Sequence, residues 1–154
     1  MSITEPGVGY RFLLRVDGFM LGSFIKVEGL SAKYDVKTIK EGGQNTFSHS
    51  LPGRVTYTNI KLTRAVDGLS MTLAAWFTAF QTQLQMGGTL GTTGATIVAM
   101  NADEFPIAQW SVAGVLPVSY TGPTFQAGSA TVLTETLELA HQGFWSEGMG
   151  LAPL

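Results

Sequence analysis

Cysteine is absent from the 154 residues, which excludes disulfide staples, thiol nucleophiles and cysteine-ligated zinc or iron–sulfur centres. Histidine is scarce: His49 and His141 are the only two, and they sit in unrelated segments. Charged residues make up 13% of the chain and the net charge is −2. There is thus no basic field to neutralise nucleic-acid phosphates and no acidic disordered tail. No run approaches the ~20 apolar residues that span a bilayer, so no membrane insertion by this chain is expected. Residues 1–8 carry no basic cluster and lead into no signal-type apolar run, because Arg11, Arg15 and Asp17 interrupt it; a chain made in the cytoplasm with a flexible start is expected. A soluble monomer usually places charges at about a quarter to a third of its surface. A surface this poor in charge points to burial in an assembly.

What is present begins with a spacing that suggests chemistry. Glu138 and His141 form E-x-x-H, which on a helix would aim a carboxylate and an imidazole at one metal ion. In a strand, residues three apart face opposite ways. Residues 130–140 alternate: Leu133, Leu137 and Leu139 share one parity, interrupted by Glu135, and Thr134, Thr136 and Glu138 share the other. The β-branched content favours a strand, although Leu133, Leu137 and Ala140 also fit helical spacing. On the strand reading Glu135 and Glu138 face opposite ways. His141, just before Gly143, then makes a strand-end hydrogen bond in preference to a metal bond, and no metal or cofactor is expected.

Elsewhere the chain reads as one domain of mostly extended segments. Tyr10, Phe12, Leu14 and Val16 alternate with polar residues up to the turn pair Asp17-Gly18. A second segment runs from Gly22 to Leu30. Lys33 to Lys40 is β-branched but polar on both faces, with Lys33, Asp35 and Lys37 on one and Tyr34, Val36, Thr38 and Lys40 on the other, flanking Ile39. Having little core to set its register, it reads as one strand of a projecting hairpin arm over about residues 33–50. Glu41, Gly42, Gly43, Gln44 and Asn45 form the tip, and the return runs from Thr46 and Phe47 to Ser50. Leu51, Pro52, Gly53 and Arg54 read as a tight turn at its base. A solvated surface loop is the competing reading of this stretch.

Arg54 to Arg64 is a further strand. Leu69, Leu73, Trp76, Phe77, Phe80 and Leu84 then recur at spacings of three and four, the stripe of an amphipathic helix over about residues 70–86. Gly87 to Gly94 is rich in glycine and threonine but lacks the lysine of a phosphate loop, so it reads as a connector. Extended segments 95–101, 107–114 and 115–121 follow. With roughly eight strands and one helix, the chain is expected to be mainly β, as a small β-barrel or sandwich with the helix packed on one side.

The order of these landmarks, "FLLRVDG", "EGG", "LPGR", "NIKLTRAVDG", the helix with Trp76, "AQWSVAGVLPVSYTGP" and "ETLELAH", resembles the tail-tube and inner-tube proteins of contractile phage tails and extracellular contractile injection systems. The resemblance spans residues 10–145. It implies that each subunit is a small β-barrel of two packed antiparallel sheets flanked by one α-helix, with a projecting β-hairpin arm. It also implies six-membered rings of that subunit stacked into a hollow tube inside a contractile sheath, with baseplate and cap proteins as partners and protein or DNA as cargo in the lumen. It further implies a structural, non-enzymatic role in a virion-like or extracellular particle assembled in the producing cell. The arm from Lys33 to Phe47, with Leu51 to Arg54 at its base, would make ring-to-ring contacts, and Glu135, Glu138 or His141 would supply polar groups at the lumen or at a strand end. Two stretches depart from the pattern: residues 87–96, read as an outer loop, and the tail 145–154. The other readings are a β-barrel module binding an apolar ligand through Trp76, Phe77, Phe80 and Trp110, and a metal enzyme built on Glu135, Glu138 and His141.

Overall fold

The computed structural model describes residues 9, 11–17, 19–40, 42–43, 48–67, 70–87, 93–128 and 130–147. The expected N-terminal extension, the arm residues Glu41 and Gln44 to Phe47, most of the glycine-rich connector and the tail beyond Glu147 lie outside them.

The alternation at the start of the chain forms β1 (Arg11–Val16), with Leu14 and Val16 buried. It pairs with β2 (Phe19–Phe24) on one side and β7 (Ala95–Met100) on the other, and β7 carries β8 (Pro106–Ala113) and β11 (Gly143–Glu147). All pairings in this five-stranded sheet, ordered β11-β8-β7-β1-β2, are antiparallel. The second sheet has four antiparallel strands in the order β3 (Lys26–Glu28), β6 (Ile60–Ala65), β10 (Thr134–Ala140) and β9 (Leu116–Thr121). Leu14, Phe24, Ile97 and Val112 from the first sheet meet Ile60, Leu62, Leu137 and Leu139 from the second in one apolar core.

Mainly β with one helix is the architecture found, but the sheets do not close. Two separate sheets face each other, and the chain crosses between them at Ile25, at Gly114–Val115 and again at His141–Gln142. Strands that switch sheets at corners are a property of sandwiches. Gly22 to Leu30 is therefore two strands bent at Ile25, where the Ile25 amide bonds to the Thr63 carbonyl at 2.9 Å. Trp145, expected to open a tail, instead belongs to the edge strand β11.

Helix α1 (Ser70–Gln85) covers the residues its spacing predicted. Leu73 is fully buried, and Trp76 and Phe77 pack on the core. The Phe77 and Tyr120 ring centroids lie 6.1 Å apart, which places the helix against β9.

Strands β4 (Ala32–Ile39) and β5 (His49–Tyr57) form a third, two-stranded sheet that pairs with no other strand among the described residues. Every residue of β4 is exposed. At about 3.3 Å per residue this arm is roughly 26 Å long. The Leu51-Pro52-Gly53-Arg54 stretch lies inside β5 and is not a turn: Val36 pairs with Pro52 and Tyr34 with Val55, so Gly53 and Arg54 together oppose Asp35. This is a bulge, a place where a strand tolerates proline. A Cβ at Gly53 would come within 2.7 Å of the Asp35 carbonyl oxygen, so glycine here permits close backbone approach.

Candidate functional site

Cross-strand partners share a face, and this register gives the arm two unlike faces. One carries Tyr34, Val36, Pro52 and Val55; the other carries Lys33, Lys37, Leu51, Ile39 and His49. Tyr34 is 60% and Val36 61% exposed. The sequence reading assigned polar character to both faces because it lacked the return strand's register, which the bulge resets.

The arm is gripped at its root. Gly29 has φ +94°, and a Cβ there would fall on the Asn59 backbone. The Ser31 hydroxyl donates to the Thr58 hydroxyl at 2.9 Å. His141 Nδ1 accepts the Gly143 amide proton at 3.2 Å, which leaves the proton on Nε2 to be donated to the Thr58 carbonyl at 2.9 Å. Tyr57 packs against His141 and Phe144, with ring centroids 5.3 and 6.0 Å away. Glu138 accepts from the Asn59 amide at 3.1 Å and from the Ser119 hydroxyl at 3.4 Å. Glu138 and His141 thus hold Asn59 and Thr58, through which the return strand of the arm rejoins the body. Both imidazole nitrogens are engaged, and no group of three or more potential metal ligands occurs among the described residues.

Glu135 is elsewhere and does not line a solvent channel. It and Arg64 are each 1% exposed. Arg64 donates from Nε to Glu135 and from Nη1 to the Leu21 carbonyl at 2.8 Å, and its guanidinium lies 5.3 Å from the centre of the Phe24 ring. The Tyr120 hydroxyl donates to the other Glu135 oxygen at 2.5 Å. That hydrogen bond, helped by burial, pushes the Tyr120 phenol up to about 12. The signal was in the sequence: Ile60, Leu62 and Arg64 share a parity, as do Leu133, Glu135, Leu137 and Leu139, so two core-facing strands each carry one charge, of opposite sign.

The outward face of the four-stranded sheet is polar over β3, β6 and β10, while the edge strand β9 adds the exposed Leu116 and Val118. Lys26 and Glu28 bond at 2.6 Å, and the Lys26 ammonium holds the Glu28 carboxyl below the usual carboxylate range. Lys61, Thr63, Thr136 and Glu138 complete the centre of that face. The outward face of the five-stranded sheet is more apolar, with a cleft of about 300 Å³ lined by Leu13, Met20, Val98 and Met100 beside Arg15 and Gln109. The four aromatics proposed as a ligand pocket do not converge. Trp76 and Phe80 line a half-open cleft of about 180 Å³ with Asp17 and Gln83, and Trp110 is absent from its walls.

A two-sheet β sandwich with one helix and an unpaired hairpin arm defines a structural class without a convergent catalytic cluster among the described residues. Residues 8–145 match the family model for the T4-like virus tail tube protein gp19, and the chain belongs to that family. It is similar, at 27% identity and a TM-score of 0.73, to a chain in the 6-fold symmetrised baseplate of the anti-feeding prophage, covering 97% of this chain and 100% of that one. A chain of the PVC sheath-tube complex of an extracellular contractile injection system, in the extended state, is 25% identical, with a TM-score of 0.76 and coverage of 94% and 93%. Hcp1 from Flavobacterium johnsoniae shares the fold at a TM-score of 0.51 and 17% identity, over 91% and 97% of the two chains. No curated protein matches the chain.

Proposed function

We propose that this chain is a structural subunit of the inner tube of a contractile injection system or phage-like tail, forming six-membered rings that stack into a hollow conduit. The sheath encloses the tube, baseplate and cap proteins terminate it, and sheath contraction drives it through a target envelope; no residue performs bond chemistry. The observation that carries the reading is the arm: a two-stranded hairpin is marginal alone in water, and this one exposes a row of apolar side chains that nothing among the described residues covers. Membership of the tail tube family and the likeness to a sheath-tube complex support the same reading.

The four-stranded sheet is the better candidate for the channel wall. Over β3, β6 and β10 its outward face is hydrophilic, with two cations, Lys26 and Lys61, against two anions, Glu28 and Glu138. Its edge strands β3 and β9 have no second neighbour among the described residues, which suits them to pair with adjacent protomers. Such a wall is charge-balanced, so it carries no strong field to hold either protein or DNA cargo.

Electron microscopy of the concentrated protein is expected to reveal six-fold rings with a central hole, or stacked tubes. The arm's part in stacking is tested by Gly42→Trp. Nothing lies within 4 Å of a Cβ built there, so the subunit should keep its melting temperature while ring stacking is lost. Tubes of normal length from that variant would remove the arm from the contact.

A further inference from the structure

The geometry points to the receiving surface for the arm: the loops at the opposite pole of a second copy, formed by residues 101–105 and by 122–128 with 130–133. This inference rests on the reading of the arm as a ring-to-ring contact and adds where it lands.

The strand registers define two poles. At one, β8 ends in Ala113 beside Gly143, β10 ends in Ala140 beside Leu116, and the arm takes root at Gly29 and Asn59. At the other, β7 turns into β8 through 101–105, Thr121 pairs with Thr136 just before the long β9–β10 connection, and Ala65 lies opposite Thr134. The seven residue steps from Pro106 to Ala113 separate the poles by roughly 23 Å.

Both poles bear surfaces that a lone subunit leaves uncovered. The arm presents Tyr34 and Val36. The far pole presents Phe105, 67% exposed, Phe125, 78%, and Val132, 77%. Charge is complementary as well. The described arm residues hold Lys33, Lys37, Lys40 and Arg54 against the single anion Asp35. The far-pole loops, with the adjoining Val66–Asp67, hold Asp67, Asp103 and Glu104 and no cation; Arg11, from β1, bonds Glu104 at 2.7 Å. A basic arm with one apolar face, its Lys33 and Lys37 on the other, therefore meets an apolar cluster with an acidic margin. Because donor and acceptor surfaces lie at opposite poles, the contact is heterologous and leaves both ends of a stack able to add another copy.

The absence of cysteine makes thiol cross-linking clean. Assembled tubes of a Val36→Cys, Phe125→Cys double variant, and of a Tyr34→Cys, Phe105→Cys variant, are treated with a short bismaleimide. A ladder of linked chains from tubes, absent from dispersed subunits, is the expected result. Val36→Cys with Met20→Cys tests the apolar cleft on the five-stranded sheet instead. A ladder from that pair alone overturns the receiving surface and leaves the stacking role of the arm intact. Intact tubes with no ladder from any pair overturn both. Should the double variants build no tubes, the single variants decide: loss in Val36→Cys and Phe125→Cys but not in Met20→Cys supports the contact, and any other pattern overturns it.

Discussion

The pairing of Arg64 with Glu135 sets the strongest expectations for single residues. Removing one partner leaves the other charge buried, at a cost of about 3–5 kcal/mol. Arg64→Met or Glu135→Leu should each lower the urea midpoint by that equivalent, and the double variant should recover part of the loss because no charge is then left buried. The remainder reflects the Tyr120 hydroxyl and the Leu21 carbonyl, which lose these partners. Equal destabilisation by the double variant would count against the pair as the cause. Tyr120 adds a pH dependence. Its folded value near 12 exceeds the free phenol's ~10, so the folded state keeps the proton longer. This contribution is complete below pH ~10 and is lost as pH rises through about 12. Tyr120→Phe should remove that part of the alkaline stability loss, measured as the difference in thermal midpoint between pH 9 and 12. Alternation alone placed Leu137 and Leu139 inward but treated Glu135 as an interruption, because one strand's pattern does not reveal the partner strand that neutralises it.

Elements were legible in proportion to how far their own periodicity determined them. Helix α1 occupies its expected residues since its apolar stripe is continuous from Leu73 to Phe80. Leu73→Ala should cost about 2–5 kcal/mol, read by chemical denaturation, since the fully buried leucine ties the helix to the core. The corner at Ile25 and the edge strand β11 were illegible: a strand that changes sheets keeps its β-branched, apolar composition through the bend, and Gly143 to Glu147 is too short to show a period. The Leu-Pro-Gly-Arg stretch misled for a related reason. Proline and glycine in sequence mark a turn or a bulge equally well, and only the pairing of Val36 with Pro52 separates the two. At the arm root the functional order is plain in retrospect, with Glu138 and His141 both spent on holding Asn59 and Thr58.

For the whole molecule, the decisive property is an arm whose backbone is paired but whose side chains are not covered. In separate subunits the β4 and β5 amides should exchange with solvent faster than those of β1 and β7, because little burial opposes local opening. In tubes they should become protected while the core amides change little. Hydrogen exchange on both forms measures this, and unchanged arm exchange on assembly would contradict the stacking contact. The buried arginine also has a mechanical meaning. An apolar interface between two sheets resists being pulled apart but offers weak resistance to sliding, since one methyl contact replaces another at little cost. Arg64, on the four-stranded sheet, is bonded at once to Glu135 beside it and to the Leu21 carbonyl of the opposite sheet. Displacement of one sheet by a single residue would strip the bond to the Leu21 carbonyl, while Glu135 holds the guanidinium to its own sheet, in a medium that cannot solvate what is left behind. The sandwich is thereby pinned against shear, and a subunit so pinned can pass a push from one end of itself to the other without its layers slipping.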